Sequence, residues 1–546
     1  MSRLALSAAM LSLALGGGIA RAAQDGNAVV ARTTAGAIQG VSTAEGGQRV
    51  FKGVPYAAPP VGPLRWTPPQ PVSPWTGVRK ADAFGPQCHQ PQIFGDIVFD
   101  RPASEDCLYL NLWTPARLQD DAAPPAKLPV MVWIHGGGYQ AGASHEPRHD
   151  GTRLAGKGVV LVTINYRLGV FGFFSHPALA ADDPRGASGN YGLLDMIAAL
   201  RWVRDNAAAF GGDPGNVTIF GESAGSFAVS TLMAAPQARG LFHKVIGESG
   251  APFASSLSLA TREAANGNGE KFGVSIGATT ADALRGKTAE DVLAAATKWQ
   301  PWFAPTVDGV VITEPVPATF AAGRQANVPL LAGWNADEAR AGVVFGKETP
   351  TAASFKAQTE KRFGAAADKL LDVYPARTDA EALESAAALA GDLFIGYATW
   401  KWLEAHRATG DAPVYRYVFT RKIPVPEGHT VNGRPATADD IGARHAGEIE
   451  YVFGTLDSVK GVTWADADRT LSDAMGTYWT NFARSGDPNG NALPEWSPGQ
   501  RGGADAGRGH GEVLRLDSAI TPIPEPHRAR YEVLDAILAA PATGSR

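Results

Sequence analysis

Gly221-Glu222-Ser223-Ala224-Gly225 is the stretch of this 546-residue chain that most directly suggests chemistry. A serine hydroxyl becomes a nucleophile when a base takes its proton. On a tight turn between a strand and a helix, small flanking residues let the chain double back and lift Oγ above a sheet edge. The helix start behind such a turn favours negative charge. A glycine-bounded turn that merely contains serine has the same pattern, so its partners matter. Acyl transfer by serine needs a base, an acid to orient that base, and donors for an oxyanion.

Six of the eleven histidines follow Ser223: His243, His406, His429, His445, His510 and His527. His445 lies among small residues, Gly442-Ala443-Arg444-His445-Ala446-Gly447, which allow close approach to a reacting centre. His429 lies in a Pro-Glu-Gly-His-Thr turn and is the weaker candidate. The acids nearest a strand end are Asp337 and Glu338, and the order serine, acid, histidine is one in which such triads occur. The pattern leaves these two acids open. For the oxyanion, His135-Gly136-Gly137-Gly138 offers amides with no side chains in the way, and Ala224 offers the amide after the nucleophile. Each such donor contributes about 3 kcal/mol to a transition state. The alternative, a phosphate-cradling loop, lacks the Lys-Ser/Thr ending it needs.

The elements that must position these residues are legible around them. Asn216 to Phe220 is a β-branched run after the Gly211–Gly215 turn residues, and Ser226 to Ala235 is small and apolar, as in a helix packed on a sheet. Lys127 to Ile134 and Val159 to Tyr166 are strands of the kind covered on both faces. Further strands are expected over Ala37–Val41, Arg49–Val54, Leu108–Trp113, Lys244–Gly247, Val328–Asn335 and Val414–Phe419. Tyr191 to Phe210 has helical periodicity. The alternation predicts an α/β fold with a mostly parallel central sheet and helices on both faces. Residues from about 255 to 300 and 345 to 410 are Ala-rich and predict helices covering the sheet and pocket. Residues from about 499 to 511 read as a loop.

Hydrophobic content of 45% and charged content of 19% indicate a globular chain with a large core. The net charge of -5 comes without a basic block or acidic tail, so neither nucleic acid nor a charge-driven partner is indicated. Arg3, the apolar Leu4–Ile19 run and Ala20-Arg21-Ala22 form a leader over residues 1–22 with cleavage expected after Ala22. The expected compartment is periplasmic or extracellular, and no later segment is apolar enough to span a bilayer. Cys88 and Cys107 are the two cysteines, and in an exported chain they are expected to pair, closing a loop worth about 3 kcal/mol. His145 and His149 stand in a proline-containing loop and are not expected to bind metal.

Together these stretches resemble the type-B carboxylesterase/lipase family, the α/β-hydrolases that include cholinesterases. The resemblance rests on Phe210-Gly211-Gly212 through Gly225, on Glu105-Asp106-Cys107-Leu108-Tyr109-Leu110-Asn111, and on Trp133 through Gly138. It extends through Gly189 to Asp195, Glu248-Ser249-Gly250, Glu448 to Gly454 and Trp479 to Ala483, covering about residues 30 to 500. It implies one α/β-hydrolase catalytic domain over 23–546 with helical cap insertions, and a small-molecule ester as substrate with no cofactor or metal. It further implies Ser223, Glu338 and His445 as triad, Gly137, Gly138 and Ala224 as oxyanion donors, and a Cys88–Cys107 bridge. Glu222 and Ser249 are expected to support the triad, and Trp299, Trp302 and Phe303 to lie at the acyl pocket. Ala339-Arg340 replaces the family's glycine after the acid. The cysteine loop carries Phe94 and Phe99 but no tryptophan, which disfavours choline esters. The expected function is carboxylic ester hydrolysis. A lipase and a non-catalytic binding protein are the alternatives.

Overall fold

The computed structural model describes residues 28–43, 47–115, 127–254, 259–431, 433–499 and 511–538. The expected leader over 1–22, and most of the loop expected over 499–511, lie outside the described residues. Thirteen strands form the central sheet: β1 (Ala28–Thr33), β2 (Gly36–Ser42), β3 (Arg49–Pro55), β4 (Val78–Lys80), β5 (Tyr109–Thr114), β6 (Leu128–Ile134), β7 (Val160–Ile164), β8 (Gly212–Glu222), β9 (Lys244–Glu248), β10 (Leu330–Asn335), β11 (Val414–Phe419), β12 (Val513–Leu516) and β13 (Thr521–Ile523). The order is β1-β2-β3-β5-β7-β6-β8-β9-β10-β11-β12-β13, with β4 beside β2. From β7 to β12 in that order every pairing is parallel, and antiparallel strands close both edges.

Alternation along the strands builds two cores. In β6, Val130, Val132 and Ile134 face one side with Val160, Val162 and Ile219. Met131 and Trp133 face the other with Leu161, Phe220 and Ile246. Successive strand residues point to opposite faces, so one strand supplies both cores. The first core is covered by helices Tyr191–Asn206, Ala224–Ala234 and Tyr397–Thr409. The second is covered by Ile449–Phe453 and Asp466–Ser485. The fold is therefore the expected mostly parallel sheet with helices on both faces.

The 255–300 and 345–410 regions contain helices, including Arg262–Ser275, Ala289–Thr297, Ala352–Phe363 and Asp379–Gly391. Thr261, Thr288, Thr351 and Thr378 cap them by accepting backbone amides, which satisfies donors a helix start leaves open. One expectation needs correction. The Gly211–Gly215 stretch is not simply a turn before a short strand, because β8 begins at Gly212. Its register against β6 shifts between Gly212 and Val217, and Pro214, which has no amide hydrogen, lies in that break. Strands β12 and β13 were not anticipated.

Cys88 and Cys107 are bonded, with S–S 2.08 Å. Among the described residues no helix is long and apolar enough to cross a membrane. The turn after β7 is held by a buried ion pair. Arg167 Nε and Nη2 each lie 2.8 Å from an oxygen of Asp195, and the Arg167 amide donates to the same carboxylate at 3.0 Å. Removing one member strands a charge in the core. Asp195→Ala is expected to cost about 3–5 kcal/mol, read as a lower melting temperature. A variant that melts with the wild type contradicts this role.

Candidate active site

Ser223 sits where β8 ends and the Ala224–Ala234 helix begins. Its backbone, at φ 52° and ψ −121°, is a conformation that L-residues rarely adopt and that costs about 1–3 kcal/mol. Two contacts hold it there: the Ser223 amide donates to Glu248 O at 2.8 Å, and its carbonyl accepts from Phe227 at 2.9 Å. The flanking glycines are a steric requirement. A Cβ on Gly225 would stand 1.9 Å from Ile134 O, and one on Gly221 would stand 2.5 Å from the same oxygen.

His445 meets Glu338 across 107 residues of chain, Nδ1 to Oε2 at 2.5 Å. The other carboxylate oxygen accepts from Ser249 Oγ at 2.6 Å and from the Asn335 amide at 2.7 Å. Asp337 faces the opposite way. Its Oδ2 accepts the Ala443 amide at 2.7 Å, and its own amide donates to Ala443 O. Asp337 thus pins the histidine loop while Glu338 meets the imidazole. His429 is exposed in its turn. Arg340 is tied to the same loop by a hydrogen bond from Nη2 to Ile441 O.

The electrostatics around His445 are unusual. Four glutamates are buried near it: Glu222, Glu248, Glu338 and Glu448. Burial raises Glu222 to about 8 and Glu448 to about 7, and pushes Glu248 well above the carboxyl range. Glu338 has three hydrogen-bond partners, Ser249, the Asn335 amide and His445. Burial alone draws His445 down, but the charges of Glu222 and Glu338 outweigh it, and the imidazole is raised above its ordinary value. Glu222 Oε1 lies 3.2 Å from His445 Nε2, yet the two atoms are not aligned as a hydrogen bond. Trp479 Nε1 donates to Glu248 at 2.8 Å, Asn335 Nδ2 donates to Glu448 at 2.5 Å, and Phe394 stands edge-on to the imidazole with centroids 5.1 Å apart.

The glycine loop lies against the elbow: a Cβ on Gly136 would come within 2.6 Å of Glu222 Oε2 and 3.2 Å of Ser223 Cβ. Gly137 and Gly138 have φ of 99° and 61°. Gly137 O caps the turn by accepting from Gln140 and Ala141, while neither glycine's amide donates to an acceptor among the described residues. Ala224 opens the helix, where first-turn amides have no intrahelical acceptor.

A cavity of about 360 Å³ borders Gly138 and is lined by Phe173, Ala264, Trp302, Phe303 and Pro305. Trp302 is 40% exposed, and Phe303 is buried against Phe174 and Phe272. Trp299 is not among the lining residues. Its indole donates to Asn268, itself a lining residue, at 2.9 Å and packs on Phe272. His145 contacts Asp100 at 2.8 Å and His149 contacts Ala143 O at 3.1 Å. Among the described residues no cluster suits a metal ion.

Four neighbours of the site received no role from sequence: Glu248, Asn335, Phe394 and Glu448. Glu248 and Glu448 lie in motifs that carried the family resemblance, one residue before Ser249 and three after His445. That spacing was the available signal. Asn335 and Phe394 had none.

The Carboxylesterase family model matches residues 27–517. The chain is 38% identical to fumonisin B1 esterase of Sphingopyxis macrogoltabida, over 90% of this chain and 87% of that one. It is 35% identical to para-nitrobenzyl esterase of Bacillus subtilis, over 92% and 98%. A solved structure of PNB esterase matches with a TM-score of 0.76 at 35% identity, covering 92% of this chain and 99% of that one. A carboxylesterase of Geobacillus stearothermophilus matches with a TM-score of 0.76 at 33% identity, with the same coverage. By sequence and by fold, the chain belongs to the carboxylesterase family and is a carboxylic ester hydrolase.

Proposed function

We propose that ester cleavage runs through an acyl-enzyme on Ser223. His445 takes the hydroxyl proton as Oγ attacks the ester carbonyl, and Glu338 fixes the imidazole tautomer and stabilises the imidazolium. The amides of Gly137, Gly138 and Ala224 donate to the oxyanion. The alcohol leaves with the proton from His445. Water then attacks the acyl-enzyme, His445 takes its proton, and the acid is released as Ser223 recovers its own. The observation that carries this reading is the 2.5 Å contact between Glu338 and His445. The poor alignment of Glu222 with Nε2 leaves that nitrogen available to Ser223 Oγ.

The cavity beside Gly138 supports a short acyl chain held among Phe173, Trp302 and Phe303. Ser249 and Glu222 act through Glu338 and His445 without touching the ester. Residues 23–546 act as one catalytic unit, since serine, acid and histidine come from distant parts of the chain. We also read residues 1–22 as a cleaved leader, consistent with a disulfide, which persists in oxidising compartments.

Two outcomes test the chemistry. Hydrolysis of p-nitrophenyl esters should show a nitrophenol burst and a short-chain optimum, and Ser223→Ala should lose on the order of a million-fold in kcat. A near-native rate in that variant overturns the assignment, and a long-chain optimum makes the enzyme a lipase. The base must be neutral to act, so a carboxylate that raises His445 moves the acid limb of kcat/KM to higher pH. Glu222→Gln removes that pull, and the limb should move to lower pH by about one unit. An unmoved or upward-shifted limb contradicts the electrostatic account.

A further inference from the structure

One residue joins the glycine loop to the cavity beside it. Gln140 lies two residues past Gly138, is buried, and lines that cavity. Its side-chain Nε2 donates to Phe303 O at 2.7 Å, a buried contact across 163 residues of chain. The same nitrogen lies 3.4 Å from Gly138 O. Its backbone amide donates to Gly137 O at 2.9 Å, beside that of Ala141 at 3.0 Å. Gln140 therefore holds the loop by its main chain and the cavity wall by its side chain.

The position of Gly137 O decides where the next amide points. That carbonyl and the Gly138 N–H belong to one planar trans peptide and lie on opposite sides of it. Two amides on the oxygen thus fix the direction of the N–H. Packing on the cavity side adds little restraint. A Cβ on Gly138 would stand 3.7 Å from Phe94 Cζ and 4.0 Å from Trp302 Cζ3, so the glycine itself leaves a gap to both rings.

The wall needs the tie as well. Trp302 to Pro305 belongs to no helix or strand. Side chains hold its backbone: Asn268 Nδ2 donates to Pro301 O at 3.3 Å, Gln140 donates to Phe303 O, and Asn190 exchanges two bonds with the Thr306 backbone at 2.8 and 2.9 Å. Of these three, only the Gln140 bond comes from the glycine loop. Without that donor, Phe303 O is a buried acceptor with no partner, and the wall shifts to find one.

We propose that Gln140 is a positioning residue for acyl transfer, which sets the Phe303 wall at a fixed distance from the Gly138 amide. A short acyl group seated on the wall then has its carbonyl oxygen at that donor. The proposal rests on the acyl-cavity reading above and gives the cavity its link to the chemistry. Acylation and deacylation both pass through an oxyanion at the same donors, so the tie serves both steps. A longer chain is also held by its own packing along the cavity, whereas acetyl has a single methyl group and depends on the wall's exact place.

Gln140→Met keeps the length and approximate volume of the side chain and removes the donor. Steady-state kinetics with p-nitrophenyl acetate and hexanoate test the tie. The acetate kcat should fall about tenfold with KM within about twofold of wild type, because both chemical steps lose alike. The hexanoate kcat should fall no more than about threefold. A purely structural role would lower both by one factor, through the folded fraction. An unchanged acetate kcat, an equal loss on both esters, or a loss carried by KM alone each overturns the proposal. Gln140→Leu, read in the same way, stands in if Gln140→Met fails to fold. Trp302→Ala separates the two readings, since it should change the ratio of acetate to hexanoate rates. An unchanged ratio there overturns the acyl-cavity reading and the proposal with it. A changed ratio beside a wild-type-like Gln140→Met overturns the proposal alone.

Discussion

The structure turns on one imidazole buried among four carboxyl groups. In a low-dielectric site, four ionised glutamates cannot coexist with a single cation. The fold gives one of them, Glu338, three partners, Ser249 Oγ, the Asn335 amide and His445 Nδ1, whereas Trp479 donates to Glu248 and Asn335 Nδ2 to Glu448. The others are pushed by burial toward the neutral form. One carboxyl group is thus fixed against His445 Nδ1, and that contact gives the imidazole a defined tautomer.

The sheet exists to hold that arrangement at its strand ends. β8 ends at the serine elbow, β9 at Glu248, β10 at Asn335 ahead of Glu338, and β6 at the glycine loop. Parallel pairing brings these ends to one edge: Gly221 lies opposite Gly247 and Ile134. Asp337 then fastens the His445 loop to the end of β10 through Ala443. The strained Ser223 backbone persists because Glu248 O accepts its amide and Phe227 donates to its carbonyl, while Ile134 O leaves no room for a side chain on the glycines that flank it.

Much of this was legible in the sequence, and the reason is local. The buried strands are near-continuous apolar runs, and the serine elbow and the glycine loop announce themselves by glycines that no other residue could replace. The choice of Glu338 over Asp337 was not local. Residues alone left both acids open, and it took the family resemblance to prefer Glu338. The geometry shows how the two differ, since Asp337 accepts the Ala443 amide and Glu338 meets the imidazole. Phe394 was illegible because its place depends on a π-helical turn, which has no composition of its own. Trp299 stands behind the cavity wall, bonded to the lining residue Asn268. The extension of β8 through Asp213-Pro214-Gly215 defeated a turn reading that rests on glycine and proline alone, because pairing on both sides of a register shift overrode it.

The measurement that tests the central claim most directly is trapping of the covalent intermediate. Wild-type enzyme mixed with p-nitrophenyl acetate, acid-quenched within the burst and digested, should yield one acetyl group per chain, on the peptide carrying Ser223. His445→Ala should yield none on that timescale. Acetyl on another residue, or equal labelling of Ser223 without His445, would contradict a serine nucleophile driven by this histidine.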